Sequence, residues 1–193
     1  MGTKGSVNRQ RIVDAADHLF YSRGYNQTSF SDISDETGIP RGNFYYYFKT
    51  KEDILAAVVD ARLVEFKSIL INCEQTTSDP LQRLHALAEF PLQQEAQVLQ
   101  YGCPTGSLSS ELTKEQDTEI SQARLTAVFD LLKNWIEAQL DKLGQNVRSD
   151  EVAKDLLAKM QGIIMIANVY KDAEFLHRGI NDIKSWLNQT LSN

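Results

Sequence analysis

Apolar residues recur along most of the chain at spacings of three and four, which is the pattern of one buried face of an α-helix. The first such run predicts a helix from about Val7 to Arg23, ended by Gly24. No segment alternates apolar and polar residues with the period of two that a half-buried strand requires, and no internal repeat is visible. The sequence therefore predicts an all-α fold.

Two short helices follow the first, joined by a turn that contains a glycine. Thr28 and Ser31 can each cap the first of the pair, and Gly38 ends it. The second begins at Arg41, directly after a proline, and lasts about two turns before a further helix begins near Lys51. Such a pair is typical of a helix-turn-helix, in which the second helix enters the major groove of DNA.

The remaining chain also has helical spacing, and with the first four helices it makes about nine. Pro91 can kink the fifth helix, and residues 101–106 form a break before the next. The apolar stripe over 150–170 is wider than a single neighbouring helix would cover, so it is either core shared with several helices of the same chain or a surface that needs a further partner. Five helices are predicted after the fourth. The fifth begins after Ser78-Asp79-Pro80, and the next three cover 108–112, 116–143 (ended by Gly144) and 150–170. The last helix follows Gly179.

Composition limits the class of protein. The 193 residues are 42% hydrophobic, which is enough for a core, yet there is no uncharged apolar run of 18 residues and no signal-peptide pattern at the start. We therefore expect a cytoplasmic protein without a membrane partner. The two cysteines, Cys73 and Cys103, have no neighbouring Cys or His at metal-ligand spacing, so we expect neither a metal nor a cofactor.

Charge is distributed unevenly along the chain. The net charge is -6, but residues 1–52 hold seven basic and six acidic residues, while the remainder holds 13 basic and 20 acidic residues. An acidic body does not attract nucleic acid as a whole. A polyanion would therefore be bound locally, at the N-terminal end.

Two runs in the first quarter of the chain, RIVDAADHLFYSRGY and TSFSDISDETGIPRGNFYYYFKTKEDIL, carry a specific resemblance. Over about residues 9–55 they resemble the TetR family of bacterial transcriptional regulators. The shared pattern is an amphipathic helix ending in Arg-Gly-Tyr/Phe, then Thr-x-x-x-Ile, Gly-Val/Ile, Gly-x-aromatic-Tyr-x-Tyr/His-Phe and Lys-x-x-Leu. The resemblance implies a three-helix helix-turn-helix DNA-binding domain over 1–52 and a helical ligand-binding and dimerisation domain over 53–193.

The same resemblance implies a function and partners. It implies a ligand-responsive transcriptional regulator, most often a repressor, that is not an enzyme. It also implies a homodimer through the last two helices, which binds a palindromic double-stranded DNA operator and is released by a small-molecule effector.

The resemblance further places DNA contacts on residues of this chain. Arg and Asn side chains can read the edges of guanine and adenine, and hydroxyl, amide and ammonium groups can bind phosphate oxygens. Phe44 and Phe48, four residues apart, are expected in the core instead. The family's base-reading positions fall on Arg41, Gly42, Asn43 and Tyr46. Its phosphate-contacting positions fall on Thr28, Ser29, Tyr45, Tyr47 and Lys51.

The stretch LQYGCPTGSLSSEL resembles a segment at the entry to the sixth helix in one branch of the family, which includes regulators of responses to reactive electrophiles and quinone-like compounds. Cys103 would lie just ahead of a helix start, where the helix dipole favours the thiolate, and an electrophile or oxidant could then act on it. The alternative for Cys103 is a small buried hydrophobe, as we expect for Cys73. Tyr101 and Lys171 are further effector candidates, although Lys171 could equally be a surface lysine.

Candidates for the walls of an effector pocket are chosen by type, as apolar and aromatic residues with a few polar anchors. Each could also be ordinary core. They are Phe90, Leu99, Leu108, Phe129, Trp135, Met160, Ile164, Asn168 and Tyr170.

Two other classes of function remain open at this point. A cysteine-dependent enzyme would use Cys103 as its nucleophile, but no His lies nearby in the sequence to activate it. A helical protein-interaction module is compatible with the acidic body, but it leaves Arg41, Asn43 and the run of tyrosines unexplained.

Overall fold

The structure, a computed structural model, describes residues 4–112, 119–144 and 148–191, and these ranges contain ten helices and no strand. The all-α prediction is confirmed. The expected number of about nine helices agrees with ten when α5 and α6 are taken as the one helix predicted to kink at Pro91. The helices are α1 (Lys4–Arg23), α2 (Phe30–Thr37), α3 (Arg41–Tyr47), α4 (Lys51–Thr76), α5 (Pro80–Gln93), α6 (Glu95–Tyr101), α7 (Pro104–Leu112), α8 (Glu119–Lys142), α9 (Ser149–Tyr170) and α10 (Ala173–Leu191).

The helices form two compact units. The head unit is Met1–Val64 with Pro104–Val128, and the body unit is Glu65–Cys103 with Phe129–Asn193. The division within α4 therefore falls between residues 64 and 65, whereas the sequence placed the domain boundary between 52 and 53. The head unit is larger than the helix-turn-helix alone because α7 and the first half of α4 belong to it, and that half of α4 supplies the buried residues Ile54, Leu55, Val58 and Val59.

The loop between α1 and α2 is held by local hydrogen bonds. α1 ends at Arg23 and is followed by Gly24, whose φ of 92° is a left-handed value that other residues rarely adopt. Ser29 caps α2 through a reciprocal pair of hydrogen bonds. The Ser29 hydroxyl accepts a hydrogen bond from the Asp32 amide (3.3 Å), and the Asp32 carboxylate accepts one from the Ser29 amide (2.7 Å). Hydrogen bonds from the Ser29 hydroxyl and amide hold the pKa of Asp32 below its usual value. The predicted caps were wrong, since Ser31 lies inside α2 and Thr28 lies one residue too early.

The turn between α2 and α3 is also fixed from several sides. Gly38 adopts the left-handed conformation with a φ of 65°. The Ser34 hydroxyl donates to the carbonyl of Ile39 (2.7 Å), and the Ile39 amide donates to the Thr37 hydroxyl (3.2 Å). Arg11, on α1, donates to the carbonyl of Thr37 (2.7 Å). These bonds fix the direction in which α3 leaves the turn.

A second capping box begins α4. The Thr50 hydroxyl accepts the amide of Asp53 (3.1 Å), and one Asp53 carboxylate oxygen accepts the amides of Lys49 (2.9 Å) and Thr50 (3.0 Å). The negative charge of Asp53 also lies at the positive end of the helix dipole. The start of α4 at Lys51 is confirmed.

In the body unit, α9 and α10 cross closely at Gly179. A Cβ atom at Gly179 would lie only 2.7 Å from Cγ2 of Ile163, so glycine lets the two backbones approach. The predicted break at Gly179 was wrong, because α10 runs through it without interruption. The chain turns instead at Lys171, with a φ of 55°, and at Asp172, whose amide donates to the carbonyl of Ala167 (3.0 Å).

The other predicted boundaries shift by a few residues. Because α7 already begins at Pro104, the break predicted over 101–106 shrinks to Gly102 and Cys103. The long helix predicted over 116–143 is present as α8, and residues 113–118 lie outside the described ranges. The core of the body unit includes Leu84, Leu87, Ile136, Leu140, Leu156, Ile180 and Leu187.

Candidate functional site

The aromatic run of α3 divides between core and surface. Phe44 is fully buried at 0% exposure and Phe48 is also buried, so the predicted core positions are confirmed. Tyr45 is 56% exposed and Tyr46 is 80% exposed, while Tyr47 is half-buried. The division follows from helical geometry, because residues four apart share one face.

The tyrosine rings are held by their neighbours. The Tyr45 ring stacks on Phe30, with 6.0 Å between ring centroids and 13° between planes. Tyr46 and Tyr47 meet edge to face at 5.0 Å, and the Tyr47 hydroxyl accepts a long hydrogen bond from Nδ2 of Asn8 (3.5 Å). The exposed rings therefore have restricted orientations, which lowers the entropy lost when they contact a partner.

The first turn of α3 carries the predicted base-reading positions. Gly42 and Asn43 are exposed, and the Asn43 amide donates to the carbonyl of Pro40 (2.8 Å), which closes the turn. Arg41 begins the helix, but its side chain lies outside the described part of the structure. The structure thus brings Gly42, Asn43 and Tyr46 to the surface of one short helix.

Two of the predicted phosphate contacts are used inside the head unit. Thr28 is 2% exposed and its hydroxyl donates to the carbonyl of Gly24 (2.8 Å), so burial contradicts a phosphate contact by this side chain. The Lys51 ammonium donates to the carbonyls of Tyr25 (3.0 Å) and Thr28 (3.2 Å) and lies 4.0 Å from the centroid of the Tyr25 ring. Both side chains fasten the loop that leads to α2, whereas Ser29 is exposed at the start of that helix.

Other basic side chains of the head unit surround α2 and α3. The Arg9 guanidinium lies 4.9 Å from the centroid of the Phe48 ring, and Arg23 lies 3.9 Å from Asp32. The Lys49 ammonium donates to the carbonyl of Tyr45. The sequence did not single out these cations: Arg9 and Arg23 come beside α3 and α2 only through the packing of α1, and the contact of Lys49 is a local one with the carbonyl four residues before it.

Cys103 lies directly ahead of α7, as predicted. Its side chain is partly exposed, and its Sγ accepts a hydrogen bond from Nε2 of Gln161 (3.4 Å). Tyr101, two residues earlier, is partly buried at the end of α6. Cys73 is buried, and this burial raises the pKa of its thiol. Within the described ranges no three His, Cys, Asp or Glu residues are grouped as metal ligands would be.

Lys171 and Asn168 both bind carbonyls at the C-terminal end of α6. The Lys171 ammonium donates to Leu99 (2.7 Å) and Gln100 (2.9 Å), and Nδ2 of Asn168 donates to Leu99 (2.8 Å) and Val98 (3.3 Å). The last carbonyls of a helix lack partners within it, so these side chains complete α6. Lys171 is therefore an exposed lysine with bonded partners and Asn168 is a helix cap, and their roles in effector binding stay predictions.

The remaining pocket candidates have different environments. Tyr170 is exposed, which excludes it from a pocket wall within the body unit, and the Trp135 indole donates to the Glu74 carboxylate (2.9 Å). Leu108, Met160 and Ile164 are buried. Three others are half-buried, namely Phe90, Leu99 and Phe129.

A groove of about 190 Å³ lies between α9 and α10, and it contains none of the predicted pocket residues. Its walls combine apolar surface with three charged side chains. The groove is lined by Lys159, Ile163, Phe175, Arg178, Gly179, Asp182, Ile183 and Trp186.

Across the described ranges, no helix has the length and apolar character needed to cross a membrane.

Known proteins are similar to this chain in both sequence and fold. Residues 12–58 match the model of bacterial regulatory proteins of the tetR family. An uncharacterised HTH-type transcriptional regulator in the lacX 3' region of Lactococcus lactis subsp. lactis is 30% identical over 181 residues, covering 92% of this chain and 91% of that protein. The HTH-type transcriptional regulator LmrA of Bacillus subtilis is 27% identical over 172 residues, covering 86% and 89%.

A solved structure extends the likeness to the whole fold. The crystal structure of a TetR-family transcriptional regulator from Cytophaga hutchinsonii has a TM-score of 0.86 at 18% identity, and the match covers 98% of this chain and 97% of that one. The helix-turn-helix and these relatives define a DNA-binding transcriptional regulator. The chain belongs to the TetR family of bacterial regulatory proteins. Proteins of this family are regulators and not enzymes.

Proposed function

We propose that the protein is a cytoplasmic repressor that binds a palindromic operator as a homodimer and leaves it when a small molecule binds. The observation that carries the proposal is the first turn of α3, where exposed Gly42 and Asn43 stand on a helix anchored by fully buried Phe44. An amide side chain can accept from and donate to adenine in the major groove. A rigid support keeps such a group in position for base reading.

Contacts with the DNA backbone would come from groups on either side of α3. Ser29 is exposed at the N-terminus of α2, where the helix dipole favours an anion, and a phosphate there would share with the Asp32 carboxylate the donors that now bind it, the Ser29 hydroxyl (2.5 Å) and amide (2.7 Å). Tyr45 is exposed and is oriented by its stacking on Phe30. The net charge of the chain is negative, so the protein as a whole does not attract DNA. A small set of such contacts around α2 and α3, which we call the reading surface, would confine the attraction for phosphate to that region.

Support for a homodimer comes from the outer surface of α9 and α10. Met165, Val169 and Tyr170 are large apolar or aromatic residues of α9 that remain exposed in the single chain. The α9–α10 groove also places Arg178 and Asp182 on one surface, so opposite charges can pair across a two-fold axis.

Sedimentation at micromolar concentration should give the mass of two chains, and a single-chain mass would contradict the dimer.

Asn43→Ala tests the base-reading role. We expect affinity for the operator to fall about 5- to 150-fold, the cost of one lost bidentate base contact, while affinity for scrambled DNA stays the same. The measurement is fluorescence anisotropy with DNA from upstream of the protein's own gene, repeated over a series of salt concentrations.

The control is Asn134→Ala, which removes another exposed side-chain amide, from α8. It should leave both affinities unchanged. An equal loss of affinity for operator and scrambled DNA in the Asn43 variant would show that Asn43 does not read bases. If the wild-type protein itself shows no preference for the operator, the repressor function is excluded.

We further propose that the effector is an electrophile that reacts with Cys103. The thiol is partly exposed, has a polar neighbour in Gln161, and precedes α7 directly. In the reaction with a quinone, the thiolate sulfur adds to a ring carbon and forms an S–C bond, while the π bond of that ring C=C breaks and its electron pair passes to the conjugated carbonyl oxygen as an enolate. The thiol proton passes to solvent, and the resulting enolate oxygen takes up a proton, so no oxidant is needed.

Cys103→Ser should bind the operator with the affinity of the wild type but should no longer be released by a quinone. Anisotropy follows the release, and mass spectrometry of the intact protein counts the adduct. Cys73→Ala is the matched control, because its thiol is buried and should not react. Release of the Cys103 variant at the quinone concentration that releases the wild type would exclude this residue as the sensor.

A further inference from the structure

Both ends of α7 are bonded to other parts of the head unit. At its start, the carbonyl of Pro104 accepts a hydrogen bond from Nη1 of Arg62 (2.6 Å). Arg62 is 3% exposed and also pairs with Asp17 on α1, where its Nε and Nη2 each lie 2.7 Å from Oδ1. At its end, Oε2 of Glu111 accepts the backbone amide of Asn26 (3.1 Å). The helix therefore connects α1 and α4 with the loop before α2.

The fit between Glu111 and this loop is close. A Cβ atom at Gly24 would lie 2.8 Å from Oε1 of Glu111, so a side chain at residue 24 would displace the carboxylate from its present position. On the inner side of the same loop, Thr28 and Lys51 bond to the carbonyls of Gly24, Tyr25 and Thr28. The loop is thus held on its inner side through its carbonyls, and on the α7 side through the Asn26 amide, which donates to Glu111.

We infer that Glu111 is a positioning residue for the contact between α2 and the DNA backbone. Asn26, which it binds, lies three residues before Ser29, the cap residue of α2 and the end of that helix which would meet a phosphate in the proposed function. The inference rests on that function. With the Asn26 amide fixed, the N-terminus of α2 has fewer orientations to lose on binding, and affinity increases without a direct contact.

The charge of Glu111 makes this role distinguishable from simple electrostatics. A carboxylate near the DNA-binding surface repels phosphate, so a variant that only removed the charge would bind DNA more tightly. Loss of the hydrogen bond acts in the opposite direction. A weaker complex after removal of a negative charge would therefore identify the positional effect.

Glu111→Ala is expected to weaken binding about two- to tenfold for operator and scrambled DNA alike, because a phosphate contact carries no sequence information. Backbone amides 24–29 should exchange with deuterium faster than in the wild type, while those of α3 keep their protection. Glu111→Gln keeps an oxygen acceptor for the Asn26 amide and should restore wild-type affinity or exceed it.

Glu36→Ala is the matched control, since Glu36 is an exposed acid of the same unit, and its removal should leave affinity equal or slightly higher. The inference is overturned if Glu111→Ala binds as tightly as Glu36→Ala, or if Glu111→Gln is as weak as the alanine variant. It is also overturned if α3 loses its protection along with the loop, because the effect would then be general unfolding. Failure of the wild type to prefer its operator is a separate result and concerns the proposed function.

Discussion

Phe44→Ala is expected to lower the free energy of unfolding by about 3–5 kcal/mol and to abolish operator binding. The ring is completely buried and meets Phe30 edge to face, with 6.2 Å between centroids and 70° between planes. Truncation leaves a cavity beneath the shortest helix of the reading surface, which has only seven residues and cannot be stable without its packing. Denaturant unfolding followed by circular dichroism measures the loss.

Tyr46→Ala is the matched control, two positions further along the same helix. Because Tyr46 is 80% exposed, its truncation should change the unfolding free energy by no more than about 0.5 kcal/mol. It should still reduce the preference for operator over scrambled DNA, since the ring occupies a predicted base-reading position. If the two variants had the same free energy of unfolding, the assignment of Phe44 to the buried face and Tyr46 to the exposed face of α3 would be wrong.

Gly179→Val should lower the unfolding free energy by about 3 kcal/mol through overpacking between α9 and α10. The added Cβ would lie 2.7 Å from Cγ2 and 2.9 Å from Cγ1 of Ile163, so either the Ile163 side chain or one of the helices must shift. Because the same two helices form the proposed dimer surface, sedimentation of the variant should also show more single chains. Thermal or denaturant unfolding gives the stability change.

Gly162→Val provides the comparison on α9, where an added Cβ meets no atom within 4 Å. Its unfolding free energy should stay within about 1 kcal/mol of the wild type, because valine and glycine differ little in helix propensity. Ile163→Ala combined with Gly179→Val should recover part of the lost stability, since it removes the clashing atoms. Equal effects of valine at 162 and 179 would mean that the crossing does not depend on Gly179.

Local sequence pattern was sufficient for most of the fold. The spacing of apolar residues located α1 and α9, and Gly24, Gly38 and Gly144 correctly marked ends, because helix termination depends on a few adjacent residues. Gly179 misled the same reasoning. A glycine that ends a helix and a glycine that lets a neighbouring helix come close look alike in the sequence. The role of Gly179 is visible only from its close contact with Ile163, which lies 16 residues earlier in the chain.

The candidate site shows the same limit. Resemblance to the family located the α3 positions, but the roles of Lys171 and Asn168 depended on carbonyls 69 to 72 residues away, which no local pattern indicates. Thr28 was misassigned because a hydroxyl suits a phosphate and a loop carbonyl equally well. Its burial, which depends on the packing of the whole head unit, decides between them.

The contact between Gly24 and Glu111 also has an evolutionary consequence. The two positions are 87 residues apart in sequence, yet the space for one is set by the other. Because residue 24 also has a φ of 92°, a shorter residue at 111 would not by itself admit a larger residue at 24, and the turn after the first helix would have to be rebuilt as well. A relative with a larger residue at 24 should therefore have a different turn after the first helix, with the side chain at 111 moved or replaced.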